Sequence, residues 1–484
     1  MVQALSLVAF TVSSFLISRT SAVPTSSSCC DAFRSQFPGQ VDIPEFATAY
    51  FSAQESDITP SCRVNPKTAE EVVQVLNITT QNGCKFAVRS GGHMPWAGSA
   101  NIDEPGVTID LGFLNSTTLS DDKGVAHVGP GARWGSVYDA IAPEGRVVVG
   151  GRGEDVGVGG FLLGGGLSFF SPKFGFGGDN VVGYQVILAD GRIVEANSQE
   201  NSDLFWAMRL AGTNFGIVTR YDLRTLPSTR MWGGLRSYNL SFALDAANAM
   251  LDFTGKVAAE GLDTLGLDFG NADEFFTNFA HIEPDIDNSD VFNATLDIPF
   301  TMDTTRSNVT LKNLIQEIDA LFASGLHVAF RTISFTPDAQ FMVDLWQEGL
   351  KIFAPYQGNP NVSWTLGYSP ISLSMLRAIE AADDAQGLAT EDGAIMITNL
   401  SAFWTDDISE DDMQSKLSQL IEWGKATAQE RGIWRKYLYL NYASPDVDPY
   451  ASIPTDNAQR LRSIRKKFDP EDVFLRLWPG GFKL

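Results

Sequence analysis

Histidine and cysteine are scarce, with four of each in 484 residues. His127, His281 and His327 are scattered, with no ligand spacing, and are read as ordinary structural histidines. There is no Cys-x-x-Cys, no nearby His pair and no Ser-His-Asp arrangement, so no metal site and no hydrolytic triad is expected. Basic residues are also in short supply. Lys plus Arg is 35 against 58 Asp plus Glu, a net charge of −23. That balance argues against a nucleic-acid binder, which needs a basic face to replace phosphate counterions, and against docking on anionic lipid. Beyond the first residues no run reaches the ~18 apolar residues that span a bilayer. What remains is 44% hydrophobic and 11% aromatic, enough to bury a large core in about three units at ~150 residues each. A soluble, acidic, globular protein is expected.

Residues 1–22 read as a secretory signal: an apolar stretch from Ala4 to Ile17, then small residues ending at Thr20-Ser21-Ala22. Export to the medium or into the secretory lumen agrees with seven Asn-x-Ser/Thr sites, at Asn77, Asn115, Asn239, Asn293, Asn308, Asn361 and Asn399. The cysteines Cys29, Cys30, Cys62 and Cys84 then favour disulfides. Neighbouring Cys29 and Cys30 do not bridge each other, and each reaches Cys62 or Cys84.

Residues 23–60, rich in Ser and turn residues, read as an exposed N-terminal segment. From Lys67 to Asn82 the apolar spacing predicts an amphipathic helix, followed by strands at Cys84–Val88, Gly106–Leu111 and Val125–Gly129. Of 44 glycines, 14 fall between Gly150 and Gly191. Val182–Ala189 and Arg192–Ala196 flank Asp190-Gly191 as a hairpin. Asp203–Leu210 reads as helix and Gly216–Leu223 as strand. After Pro227 strands (Thr264–Phe269, Val328–Phe335, Gly393–Leu400) alternate with helices (Ala243–Ala259, Leu311–Phe322, Met413–Gly424), an α+β pattern. The tail carries Tyr437-Leu-Tyr-Leu-Asn-Tyr442 and a basic helix over Asn457–Phe468.

Two segments carry chemistry. In Arg89-Ser-Gly-Gly-His-Met94 the paired glycines let backbone amides approach an anionic group, with Arg89 adding charge and His93 a nucleophilic side chain. The run Gly150–Ser168 is not a dinucleotide fingerprint, because counting from Gly157 puts Leu162 where the third glycine belongs. It contains no P-loop either. A long, backbone-rich surface with apolar spacers remains, suited to lie along an extended cofactor.

Together these segments resemble a known family. Arg89–His93, Val156-Gly-Val-Gly-Gly-Phe-Leu-Leu-Gly-Gly-Gly166, Asp179-Asn180, Ala189-Asp-Gly191 and Gly212–Val218 are similar to the FAD-linked oxidoreductases of the vanillyl-alcohol-oxidase superfamily. Tyr439-Leu-Asn-Tyr442 and Lys467–Phe474 narrow the resemblance to the berberine-bridge-enzyme-like branch, as in secreted fungal and plant oxidases. It implies an FAD domain of two α/β subdomains over residues 55–230 and a substrate domain, an antiparallel sheet backed by helices, over 231–434. Residues 23–54 precede them, and 435–484 return to the FAD domain. It also implies a single covalent bond from His93 to the flavin 8α-methyl group, with the backbone of Ser90, Gly91 and Gly92 holding the pyrophosphate and Arg89 and Met94 also binding the cofactor. Val156, Gly157, Gly159, Gly160, Gly165, Ile217, Val218 and Asn441 would line the cofactor. Relatives with a second flavin bond have a cysteine where this chain has Gly153. That departure weakens a carbohydrate-oxidase reading and favours a small secondary-metabolite substrate.

The reaction implied is hydride transfer from an alcohol, or a related C–H donor, to FAD. Val156, small at the position that gates oxygen in the family, implies O2 as acceptor and hydrogen peroxide as product. Tyr439 is the first candidate for the base and Tyr442 the second, with two packing tyrosines of a buried strand as the alternative. Asp268 or Asp392 could serve instead. A monomer with N-linked glycans is expected. The contrasting reading is a catalytically idle, flavin-retaining secreted glycoprotein.

Overall fold

The computed structural model describes residues 26–42, 50–227, 230–257, 261–284, 290–321 and 325–484. The expected signal over residues 1–22 lies outside them. Three sheets and the helices between them make a mixed α/β architecture.

In the first sheet Cys62–Val64, Val107–Asp110 and Phe86–Arg89 pair in parallel, with Val41–Asp42 antiparallel at the edge. Parallel strands need a crossover, and helix Ala69–Asn82 lies between two of them in the chain. The Thr68 side chain accepts the Glu71 N–H at its start, and Gly83, at φ 63°, ends it in a left-handed turn. Val72, Val75 and Leu76 bury its inner face. The expectation of an exposed N-terminal segment is overturned. Ser26–Gln36 is a helix with Cys29 and Phe33 fully buried. Disulfides Cys29–Cys84 and Cys30–Cys62 tie it to the sheet, which composition alone does not register.

The second sheet is antiparallel, in the order Thr117–Leu119, Val125–Val128, Ile217–Pro227, Val181–Ile187, Ile193–Asn197, with Arg146–Val148 also on Ile217–Pro227. Asp190-Gly191 turns the hairpin, Gly191 at φ 82°. The glycine-rich run precedes this hairpin and holds only short helices, Val158–Leu163 and Ser171–Phe174.

The third sheet has ten strands. Its spine runs Met231–Asn239, Glu274–His281, Asp263–Gly270, Val362–Ile371, Ile395–Trp404, all antiparallel. The aromatic side chains Phe269, Phe275, Trp364 and Tyr368 share a buried cluster with residues of helices Ala243–Lys256, Ala339–Ile352 and Glu410–Glu430. That last helix begins earlier than its apolar spacing suggested, because Ser409 caps it and three acidic residues fill its first turn. The strand expected over Val328–Phe335 splits into His327–Arg331 and Ser334–Phe335, both on Ile395–Trp404. The tail tyrosines do not form a strand either: Leu440–Tyr442 is a single 3-10 turn.

Candidate functional site

A cavity of about 420 Å³, open on one side, lies where the three sheets meet. One wall is the loop after strand Phe86–Arg89 together with the glycine-rich run. Gly91 and Gly157 press backbone against backbone, so that a Cβ on Gly91 would sit 2.6 Å from Gly157 N. Ser90 Oγ accepts the Gly159 N–H at 3.2 Å and donates to Pro130 O at 2.5 Å. Around Gly160 a Cβ would meet nothing within 4 Å. These glycines line the cavity beside Ser90, Gly92, Met94, Val156, Ile217 and Val218.

His93 enters the same cavity and stacks on Phe51, ring centroids 3.9 Å apart at 22°. Burial, helped by the positive charge of Arg133, pushes the imidazole down to about 3. The ring is therefore neutral at ordinary pH and keeps a nucleophilic lone pair.

Two expected cofactor contacts are not in the cavity lining. Arg89 turns away and is held by Asp110, with Nη1 donating to both carboxylate oxygens at 3.1 and 3.0 Å. A buried guanidinium needs a counter-charge, so this arginine braces the strands. Gly165, at φ 101°, packs against Tyr439 and Gln386, because the chain needs a left-handed turn there.

The opposite wall is the ten-stranded sheet. Asp268, Asn278, Asn399 and Ser401 reach the cavity from it, among Phe276, Phe330 and Phe403. Burial pushes the Asp268 carboxyl up to about 7, against the pull of Arg152.

The tail closes the floor. Tyr439 is 1% exposed, and its hydroxyl oxygen accepts N–H groups of Gly166 at 3.1 Å, Leu167 at 2.9 Å and Asn441 at 3.1 Å. Burial pushes its phenol far upward. That arrangement makes Tyr439 a brace for the glycine run and disfavours it as a base. Tyr442 stands edge-on to it, centroids 4.8 Å apart, and its hydroxyl accepts from Arg152 Nη2 at 3.0 Å. Asp392 is absent from the lining and caps a surface turn through the Ala389 N–H. Asn441 lines the cavity and also donates to Phe161 O.

Sequence reasoning missed Phe51, Arg152, Asn278 and Asn399 as cavity residues, together with Trp478 and Phe482 from the far end of the chain. Only Arg152 had a local signal, as the one charged residue among the glycines 150–153. Among the described residues no cluster of His, Cys, Asp or Glu is arranged to hold a metal, and no helix is long and apolar enough to cross a membrane.

The glycine cradle and the neutral imidazole fit a large dinucleotide bearing an electrophilic ring. Comparison with known proteins agrees. A family described as "FAD binding domain" matches residues 60–197. The chain is 30% identical to the "FAD-dependent monooxygenase tpcD" of Cochliobolus heterostrophus, over 97% of this chain and 93% of that one. The structure superposes on a carbohydrate oxidase from Microdochium nivale with a TM-score of 0.76 at 23% identity, covering 92% of this chain and 98% of the other. It superposes on BBE-like 1 of Physcomitrella patens with a TM-score of 0.75 at 19% identity, covering 92% and 97%. The chain belongs to the FAD-linked oxidoreductases that include this monooxygenase, and is an FAD-dependent enzyme.

Proposed function

We propose that this protein is a secreted oxidase that removes a hydride from a small secondary-metabolite alcohol, with one covalent flavin bond at His93 and O2 as the final acceptor. The observation that carries the reading is the single cavity joining His93 to Asp268 and Tyr442. FAD, when bound, would supply a two-electron acceptor that O2 can reoxidise. The backbone of Ser90–Gly92 and Gly157–Gly160 would hold it, and neutral His93, fixed by Phe51, would form the bond. Support for a single bond comes from Gly153, where a Cβ would already lie 2.9 Å from Val156 Cγ2 and 3.2 Å from Asp319 Oδ1. Export is supported by the two disulfides.

On the protein side the work is positioning and proton removal. Tyr442, tethered by Arg152, donates its O–H to the substrate oxygen and orients the carbinol. Asp268 takes the hydroxyl proton, since a carboxyl titrating at about 7 is matched to working pH. Tyr439 keeps Gly166 and Leu167 in place.

The test is turnover of purified protein on a panel of aromatic alcohols and sugars under ¹⁸O2. One peroxide per product with no label in the product supports the oxidase. Labelled product without peroxide would replace it with oxygen insertion, the activity in the name of the 30%-identical relative.

A further inference from the structure

Residues 50–57 form a strap between the two sides of the cavity. Towards the ten-stranded sheet, Ala53 N donates to Leu326 O at 2.8 Å. The Gln54 amide donates to Val328 O at 3.1 Å and accepts from Val328 N at 3.0 Å. Towards the His93 loop, Phe51 N donates to Gly92 O at 3.0 Å and Ser52 Oγ to Pro95 O at 2.6 Å. Asn101 Nδ2 donates to the carbonyls of Glu55 and Ile58, at 2.9 Å each. Within this grip Glu55 is fully buried. Its carboxylate accepts from Ser99 Oγ, from Ala100 N at 2.6 Å and from Gly98 N at 3.2 Å. All three partners donate, which suits an ionised carboxylate. A buried charge is costly unless such donors reach it, and here they all come from one loop. That loop, Met94–Asn101, follows His93 directly, and Met94, Trp96, Ser99 and Ala100 line the cavity. Among the described residues the His93 ring takes no hydrogen bond, so its direction depends on the Phe51 face and on the backbone either side of it.

We propose that Glu55 is a positioning residue for His93: by fixing the loop that follows the imidazole, and the strap whose Phe51 stacks on it, the carboxylate holds the ring in line for attachment to the flavin. This rests on the covalent-flavin reading above and names a residue that serves it. Glu55 is outside the cavity lining, so it acts only through Phe51 and the loop. Attachment joins an imidazole nitrogen to the 8α carbon; the imidazole N–H and one methyl C–H are lost as two protons and two electrons, which O2 takes up as hydrogen peroxide. A step of this kind is sensitive to placement, since a 1 Å error can cost about 10²-fold.

The experiment compares flavin-loaded wild type with Glu55→Gln, Ser99→Ala and Leu76→Ala. Flavin in the acid pellet is divided by total flavin in the native protein, and each melting temperature is recorded. Glu55→Gln keeps the shape but turns an N–H group towards one of the donors. Its covalent share should fall about threefold, with total flavin per protein near the wild-type value. Ser99→Ala, which removes one donor, should give a smaller fall. Leu76→Ala hollows the buried face of helix Ala69–Asn82 and controls for destabilisation: it should melt earlier with its covalent share unchanged. A wild-type share in both Glu55→Gln and Ser99→Ala would overturn the inference. So would a fall as large in Leu76→Ala at the same loss of melting temperature. Either result leaves the covalent reading standing. If Glu55→Gln does not fold, Ser99→Ala decides alone, and an unchanged share there overturns the inference. Wild-type protein that releases all its flavin in acid would remove the covalent reading first, and this inference with it.

Discussion

The two walls of the cavity are made of different material. The wall around Ser90–His93 and Gly157–Gly160 is backbone: glycines in mutual contact, an amide directed by a serine, and one neutral imidazole. The facing sheet is side chain: a carboxyl, two amides and a group of rings, drawn from strands far apart in sequence. A backbone wall recognises what every member of a cofactor class shares, and tolerates almost no substitution. A side-chain wall can be rewritten residue by residue, which is where one enzyme's substrate differs from another's.

The largest effects should come from breaking the backbone wall. His93→Ala should release all flavin on acid precipitation, whereas wild-type protein stays yellow; flavin retained by the variant would remove His93 from that role. Gly91→Val forces a side chain into Gly157 and should cost about 3 kcal/mol, lowering the melting temperature and the flavin content together. A variant with normal flavin content would show that the close approach is dispensable.

Changes to the side-chain wall should spare flavin and strike turnover. Asp268→Asn should lower kcat by about 10²- to 10⁴-fold with flavin absorbance intact. Wild-type rate should rise as pH climbs through about 7, because the base must be ionised, and the variant should lose that rise. An unchanged profile would return the proton to a tyrosine. Tyr442→Phe should cost less, about tenfold, and Tyr439→Phe should show its loss mainly as reduced stability.

Smaller effects sharpen the contrast. Phe51→Ala leaves His93 unstacked and should lower the fraction of covalent flavin without abolishing it, read from the flavin left in the acid pellet. Away from both walls, burial pushes the Asp179 and Asp384 carboxyls up, each raised further or held there by its buried surroundings. The folded state then holds protons that the unfolded chain releases above about pH 4, so this pair's contribution to stability is full in acid and falls as pH rises. Melting Asp384→Asn across pH should flatten that fall; an equally steep curve would exonerate the pair.

Glycine spacing, the Arg89–His93 loop and the tail tyrosines were legible because a tight backbone approach leaves few residue choices, and those choices recur close together in the chain. Arg89 and Gly165 sit within the same motif but outside the cavity lining, the one held by Asp110 and the other packed on Tyr439. Asp268 was readable only as one of two carboxylates, and nothing local separated it from Asp392. The pairing of Cys29 with Cys84 and of Cys30 with Cys62 likewise needed the helix seated on its sheet.

By itself the sequence determined an acidic α+β FAD-dependent enzyme and its glycine-rich cradle. The tertiary structure alone decided which tyrosine is locked and which carboxyl is desolvated. Those properties depend on what surrounds a group. Burial and partners come from strands that register brings side by side, and register is a property of the folded sheet.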